Sequence, residues 1–176
     1  MNDFPKRKPL RLNIHDYNTP GAYFITICTH DRKQILSRIV GNQIGEDPLR
    51  ETSDEPVPIL TERGKIVEKV LNRLPQKIAV SVERFVIMPN HIHMILVVAE
   101  GQNAPVAGKS IIAKAVGYLK MNSSKEIRRQ FRDEVLWQRG YYDHIIRDVK
   151  DHEEIIRYIN TNPAKWQFDR LFAEGL

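Results

Sequence analysis

The sequence predicts an α+β fold: one mostly antiparallel sheet of four or five strands with helices packed on one face. Three observations carry that expectation. Ala22–Thr29 (AYFITICT) and Ile78–Met88 (IAVSVERFVIM) are rich in β-branched and aromatic residues, the composition of strands. His91–Ala99 (HIHMILVVA) is apolar on both faces in its second half, as a central, doubly covered strand should be. The order β-α-β-β-α-β-α, with long strand-to-helix connections, suits an antiparallel sheet with helices laid on it in a ferredoxin-like layout.

Each element has a local reason. Residues 1–20 hold Pro5, Pro9 and Pro20 among basic and polar residues and read as an arm leading into a single domain over 21–176. Residues 41–58 carry two glycines, three prolines and an acidic cluster, which marks a surface loop or hairpin excursion. From Glu62 to Leu74, Val67, Leu71 and Leu74 form a helical stripe, with Thr61 as N-cap and Pro75 as the stop. Pro89-Asn90 turns the second strand into the third. Ser110–Arg132 reads as a long helix with Ile112, Ala115, Val116, Leu119, Ile127 and Phe131 inward and its bases outward. Leu136–Arg147 is strand-like with a break at Gly140. Asp148 can cap a final helix that runs to Asn162, where Pro163 stops it.

Composition narrows the function classes. With 176 residues and 28% charged residues the chain is of ordinary globular type. Its single cysteine, Cys28, excludes a disulfide framework and a cysteine-based zinc module; mid-strand, it reads as a buried small hydrophobe. No apolar run reaches the roughly 18 residues of a membrane span, and the basic start lacks a secretory signal, so a cytoplasmic protein with no membrane partner is expected. The net charge of +5 is unevenly spread. Residues 107–150 hold ten basic and five acidic side chains, whereas residues 41–58 hold five acidic and one basic. That asymmetry suits a basic face for a polyanion.

Two constellations carry chemistry. His91 and His93 are two apart in a strand, so both imidazoles point to one face, close enough to share a metal ion. Tyr158 and Asn162 are four apart on the final helix and share a face at the edge of the Ile155, Ile156, Ile159 stripe. A phenol there can approach a site on the sheet, and an amide oxygen is a hard metal ligand. Tyr118 and Asn122 have the same spacing and compete. Tyr142, His144 and Ile146 share one strand face, which makes His144 an alternative third ligand. Trp137 and Gln138 are read as ordering the strand start or stacking on a base, and Trp166 as core.

Taken together, MPNHIHMILVV, the basic helix with LKMNSSKEI, LWQRGYYDHIIRD and YINTNP resemble the tyrosine HUH transposases of the smallest insertion sequences, most of all their REP-associated branch. The resemblance spans residues 22–166. It implies that His91 and His93 bind a divalent metal, Mg²⁺ or Mn²⁺, and that Tyr158 is the nucleophile, in preference to Tyr118, Tyr141 and Tyr142. Asn162 stands where relatives often have glutamine and would complete the metal site. The implied reaction is cleavage and rejoining of single-stranded DNA at hairpin-flanked sites through a 5′-phosphotyrosine. Relatives include homodimers whose sites are assembled in trans. A replication or mobilisation nickase, and a sequence-specific DNA-binding regulator without catalysis, are the alternatives. For DNA contact the sequence offers Lys109, Lys120, Lys125, Arg128, Arg129, Arg132 and Arg139, with Lys6, Arg7, Lys8 and Arg11 of the arm. These are expected to line the approach to the metal site and bind phosphate.

Overall fold

The computed structural model describes residues 19–41, 55–100, 110–132 and 135–172. The arm cations Lys6, Arg7, Lys8 and Arg11, then Lys109, and most of the acidic segment lie outside the described residues. Among the described residues the strands are β1 (Gly21–Cys28), β2 (Ser37–Val40), β3 (Val57–Leu60), β4 (Ser81–Ile87), β5 (His91–Val98) and β6 (Tyr142–Ile146). The helices are α1 (Glu62–Asn72), α2 (Leu74–Lys77), α3 (Ile111–Phe131) and α4 (Val149–Thr161), followed by a 3₁₀ helix at Pro163–Phe168. The main sheet has the order β4-β5-β1-β6 with every neighbour antiparallel. The α+β expectation stands, with the HUH strand β5 central.

Strand alternation sorts side chains to two cores. Tyr23, Ile25 and Ile27 of β1 join Ile92, Met94, Leu96 and Val98 of β5 on one face, under the buried stripes of α1 and α3. Phe24, Ile95, Val86 and Met88 take the other face with Ile159 and Trp166. Helices therefore cover both faces: α1 and α3 share the expected side, whereas α4 lies across the sheet from them. The physical reason is the second core, where Phe24, Val86 and Ile95 leave an apolar surface on which Ile155, Ile156 and Ile159 of α4 pack. His152 of α4, 2.9 Å from Glu83 of β4, adds a polar tie. Packing on the first face is close enough that a Cβ on Gly64 of α1 would run into the Leu36 carbonyl oxygen.

Caps follow the sequence. Thr61 accepts from the Gly64 N–H and Asp148 from the Asp151 N–H, each satisfying a helix-start donor. Neither proline ends helical structure outright. Pro75 sits in the first turn of α2, and Pro163 opens the 3₁₀ helix, positions where a missing N–H costs nothing. The expected second strand starts at Ser81 because α2 occupies the residues before Ile78. β6 is shorter than Leu136–Arg147; before Gly140, Trp137 makes a lone bridge to Thr29. A hairpin of β2 and β3 frames the acidic segment. Cys28 ends β1 and is half-buried rather than fully enclosed.

Candidate metal and tyrosine site

β5 presents His91 and His93 to the α4 face, ring centroids 4.4 Å apart. Both are fully buried, and each is oriented by a neighbour. Asn90, in the turn before β5, donates its amide to the Leu171 carbonyl at 2.8 Å. Its oxygen is thereby aimed at His91 Nδ1, 2.8 Å away. That carbonyl oxygen makes Nδ1 the donor and leaves the Nε2 lone pair facing the site. Thr26 of β1 holds His93 Nδ1 at 2.8 Å, and Phe24 stacks on the His93 ring at 5.2 Å. Burial keeps both imidazoles neutral. His91 is lowered to about 4 by burial although Asp169 and Asn162 oppose the shift, with smaller help from Arg32 and Arg170. His93 is held well below its usual value by burial, then by His91 and Arg170. Neutral imidazole is the metal-binding form.

α4 brings the tyrosine. Tyr158 Oη lies 3.3 Å from His93 Nε2 within one chain. The same hydroxyl donates to Asp169 Oδ2 at 3.3 Å, and Asn162 donates to that oxygen at 2.6 Å. Tyr158 of α4 and Asn162, the residue that caps its end, thus converge on one carboxylate. Leu171 N–H holds the other oxygen at 2.6 Å. Burial, and then the Asp169 charge, push the Tyr158 phenol up to about 12, so it is protonated at neutral pH.

One test of metal fit is where polar atoms lack partners. His91 Nε2 and Asn162 Oδ1 are both buried without a hydrogen bond, although such atoms are normally satisfied. One ligand atom each from His91, His93 and Asp169 lies within 4.8 Å of the others. Two imidazole nitrogens, an amide oxygen and a carboxylate form a reasonable donor set for a divalent cation such as Mn²⁺ or Mg²⁺. The residues present fit the ion.

Other sequence candidates land elsewhere. His144 faces the same side of the sheet but is held by the Asp151 carboxylate at 2.8 and 3.0 Å. It is outside the ligand group, so the alternative third-ligand reading is corrected. Asn122 turns back to its own helix, donating to the Tyr118 carbonyl, and α3 packs in the first core. Trp137 is buried there and donates to Ser123 at 2.9 Å; it orders the strand start and is not a stacking surface for a base. Trp166 is core, 5.8 Å from His91.

The predicted basic face divides. Lys120 reaches the Gln138 and Gly140 carbonyls at 2.7 and 2.5 Å, with its ammonium lowered to about 8 by burial. It pins the WQRG segment instead of facing phosphate. Lys125, Arg128, Arg129 and Arg132 are exposed on or just after α3, which packs across the sheet from the imidazoles, so they do not converge on them. Arg139 is exposed in the segment before β6. The cations that do approach are Arg32, Lys165 and Arg170. Arg32 donates to the Arg170 carbonyl at 3.1 Å, and both guanidiniums depress His91. Sequence reasoning missed these three, along with Asp169, Asn90 and Thr26. Only Asn90 and Thr26 had a local signal, as polar residues in the β5 turn and on the imidazole side of β1.

Residues 20–162 match the model of the family described as IS200-like transposases. The chain belongs to that family. Within it, the chain is similar to REP-associated tyrosine transposases. One, described as putative, from Haemophilus influenzae is 29% identical over 45% of this chain and 47% of its own. An Escherichia coli member is 22% identical over 61% and 58%. An uncharacterised Haemophilus influenzae protein is 30% identical over 96% of this chain and 94% of its own. The solved structure of a REP-associated tyrosine transposase bound to a REP hairpin shares the fold, with a TM-score of 0.61 at 17% identity. That match covers 91% of this chain and 77% of the other. Among the described residues, no helix is long and apolar enough to cross a membrane.

Proposed function

We propose that this chain cleaves and rejoins single-stranded DNA at hairpin-flanked sites, with Tyr158 as nucleophile and His91, His93 and Asn162 as metal ligands. Asp169 is added to that ligand set. The observation that carries the reading is the convergence of Tyr158 Oη on His93 Nε2 at 3.3 Å, beside two buried atoms that lack partners.

Asn90 and Thr26 orient the imidazoles so that their Nε2 atoms face the ligand position. Phe24, Trp166 and Ile95 give that side of the sheet an apolar wall. α4 holds Tyr158 where its oxygen can reach a phosphate placed on the ligand group. In the transfer, Tyr158 Oη bonds to phosphorus while the P–O3′ bond breaks. The phenol loses a proton and the departing oxygen gains one, which leaves a 5′-phosphotyrosine and a free 3′-OH. Bond energy is conserved in the phosphotyrosine, so a second strand's 3′-OH can reverse the step without a nucleotide cofactor. A divalent cation bound here supplies positive charge that polarises the scissile phosphate and offsets the charge developing during attack.

Wild-type protein incubated with a labelled hairpin-flanked oligonucleotide and Mn²⁺ should give a covalent adduct that survives denaturing electrophoresis. Tyr158→Phe should give none. An adduct in Tyr158→Phe would overturn the nucleophile. No metal-dependent adduct from wild type, with hairpin binding intact, would overturn cleavage in favour of a DNA-binding regulator.

A further inference from the structure

Beside Tyr158 the surface opens into a cleft of about 410 Å³, within the range of small-ligand sites. Tyr158, Asn162, Lys165, Phe168, Asp169 and Arg170 line it. Phe168 is 68% exposed, unusual for a large apolar ring at the mouth of a charged site. Nothing in the fold requires it there: the second core is closed by Trp166 and Phe172, stacked edge-on at 5.2 Å. Two cations, Lys165 and Arg170, line the same cleft; the Arg170 guanidinium lies 5.7 Å over the Tyr142 ring, and Arg32 donates to the Arg170 carbonyl. An exposed aromatic ring that shares a cleft with two cations and Tyr158 is the combination that suits single-stranded nucleic acid: a π-face for a base, charge for phosphate.

Resting on the strand-cleavage reading above, we infer that this cleft is a nucleotide subsite in which Phe168 stacks on an unpaired base next to the scissile phosphate, while Lys165 and Arg170 hold the phosphate. An acidic peptide would also satisfy the cations, but only a nucleic acid presents a π-face beside every anionic group. Stacking tolerates any base, so the subsite fixes the strand's position more than its sequence.

The test couples protein and DNA changes. Binding of hairpin-flanked oligonucleotides is measured without divalent metal, using intact strands and strands with one abasic position on either side of the cleavage site. For wild type, removing the base at one of these positions should weaken binding roughly tenfold. Phe168→Ala should bind intact DNA about as weakly as wild type binds that abasic strand, and should then be indifferent to the abasic change. Phe168→Trp should restore both affinity and sensitivity. Equal sensitivity to the missing base in wild type and Phe168→Ala would overturn the stacking role, as would indifference of wild type at both positions. If the coupling holds while wild type forms no covalent adduct, the cleavage reading fails and the subsite stands.

Discussion

On the α1–α3 side, β5 presents Ile92, Met94, Leu96 and Val98 to a large apolar core. On the α4 side the same strand presents His91, His93, Ile95 and Val97, the last two in a smaller cluster. The difference follows from the period of two: eight consecutive residues serve two environments with no compromise in either. The first side consists largely of hydrocarbon whose burial contributes stability. The second keeps buried nitrogen and oxygen atoms without partners, an arrangement that costs free energy unless a ligand satisfies it. Stability and site chemistry are therefore segregated by sheet face, and substitutions on each side should report on different properties.

The largest effect should come from the apolar side. Leu96 is fully buried, and Leu96→Ala should cost about 2–5 kcal/mol, the transfer and cavity terms together. Chemical denaturation of the metal-free protein measures it. Mn²⁺ affinity per folded molecule should stay within about twofold of wild type. A parallel loss of metal binding would show that the two faces are coupled through β5.

From the polar side, saturating Mn²⁺ should stabilise wild type, by about 2.7 kcal/mol at one hundred times the dissociation constant. His91→Ala should abolish that increment, while its metal-free stability falls by less than that of Leu96→Ala. The measurement is the shift in unfolding midpoint with and without Mn²⁺. A retained increment would remove His91 from the ligand group and leave its lone Nε2 unexplained.

How much of this contrast the sequence revealed depends on the range of the forces involved. Strand alternation in β5, the apolar stripes of α1, α3 and α4, and the caps at Thr61 and Asp148 are local, and local patterns are readable. The shared face of His91 and His93, and of Tyr158 and Asn162, follows from the same periodicities. The side of the sheet that α4 takes is not local, because its isoleucine stripe would suit either face; the second core decides it. The four-residue strands of the β2–β3 hairpin are too short to show a period, and Pro58 masks the second. Lys120 looked like one more outward base on α3, yet the chain returns to bring Gln138 and Gly140 carbonyls to its ammonium. Asp169 was hidden for the same reason. It follows the 3₁₀ helix as an ordinary polar residue, and the donors that hold its carboxylate, Tyr158, Asn162 and the Leu171 N–H, come together only in the folded chain.

That placement gives the finest test of the contrast. The carboxylate of Asp169 accepts from Asn162, Tyr158 and the Leu171 N–H, and one of its oxygens also lies in the group of atoms that could hold a metal ion. A strut and a ligand make different demands on it. As a strut, Asp169 needs acceptors in the right places; as a ligand, it also needs its charge. Asp169→Asn keeps the shape and one oxygen but removes the charge and turns an amide toward a donor. If the charge contributes to holding the ion, Mn²⁺ affinity measured by titration calorimetry should fall about tenfold, within the range seen when groups around a metal are altered. The fall should be smaller than that caused by His91→Ala, because both imidazoles remain. Unchanged affinity with a lowered metal-free midpoint would make Asp169 a strut between α4 and the chain end. The polar face would then rest on His91, His93 and Asn162 alone.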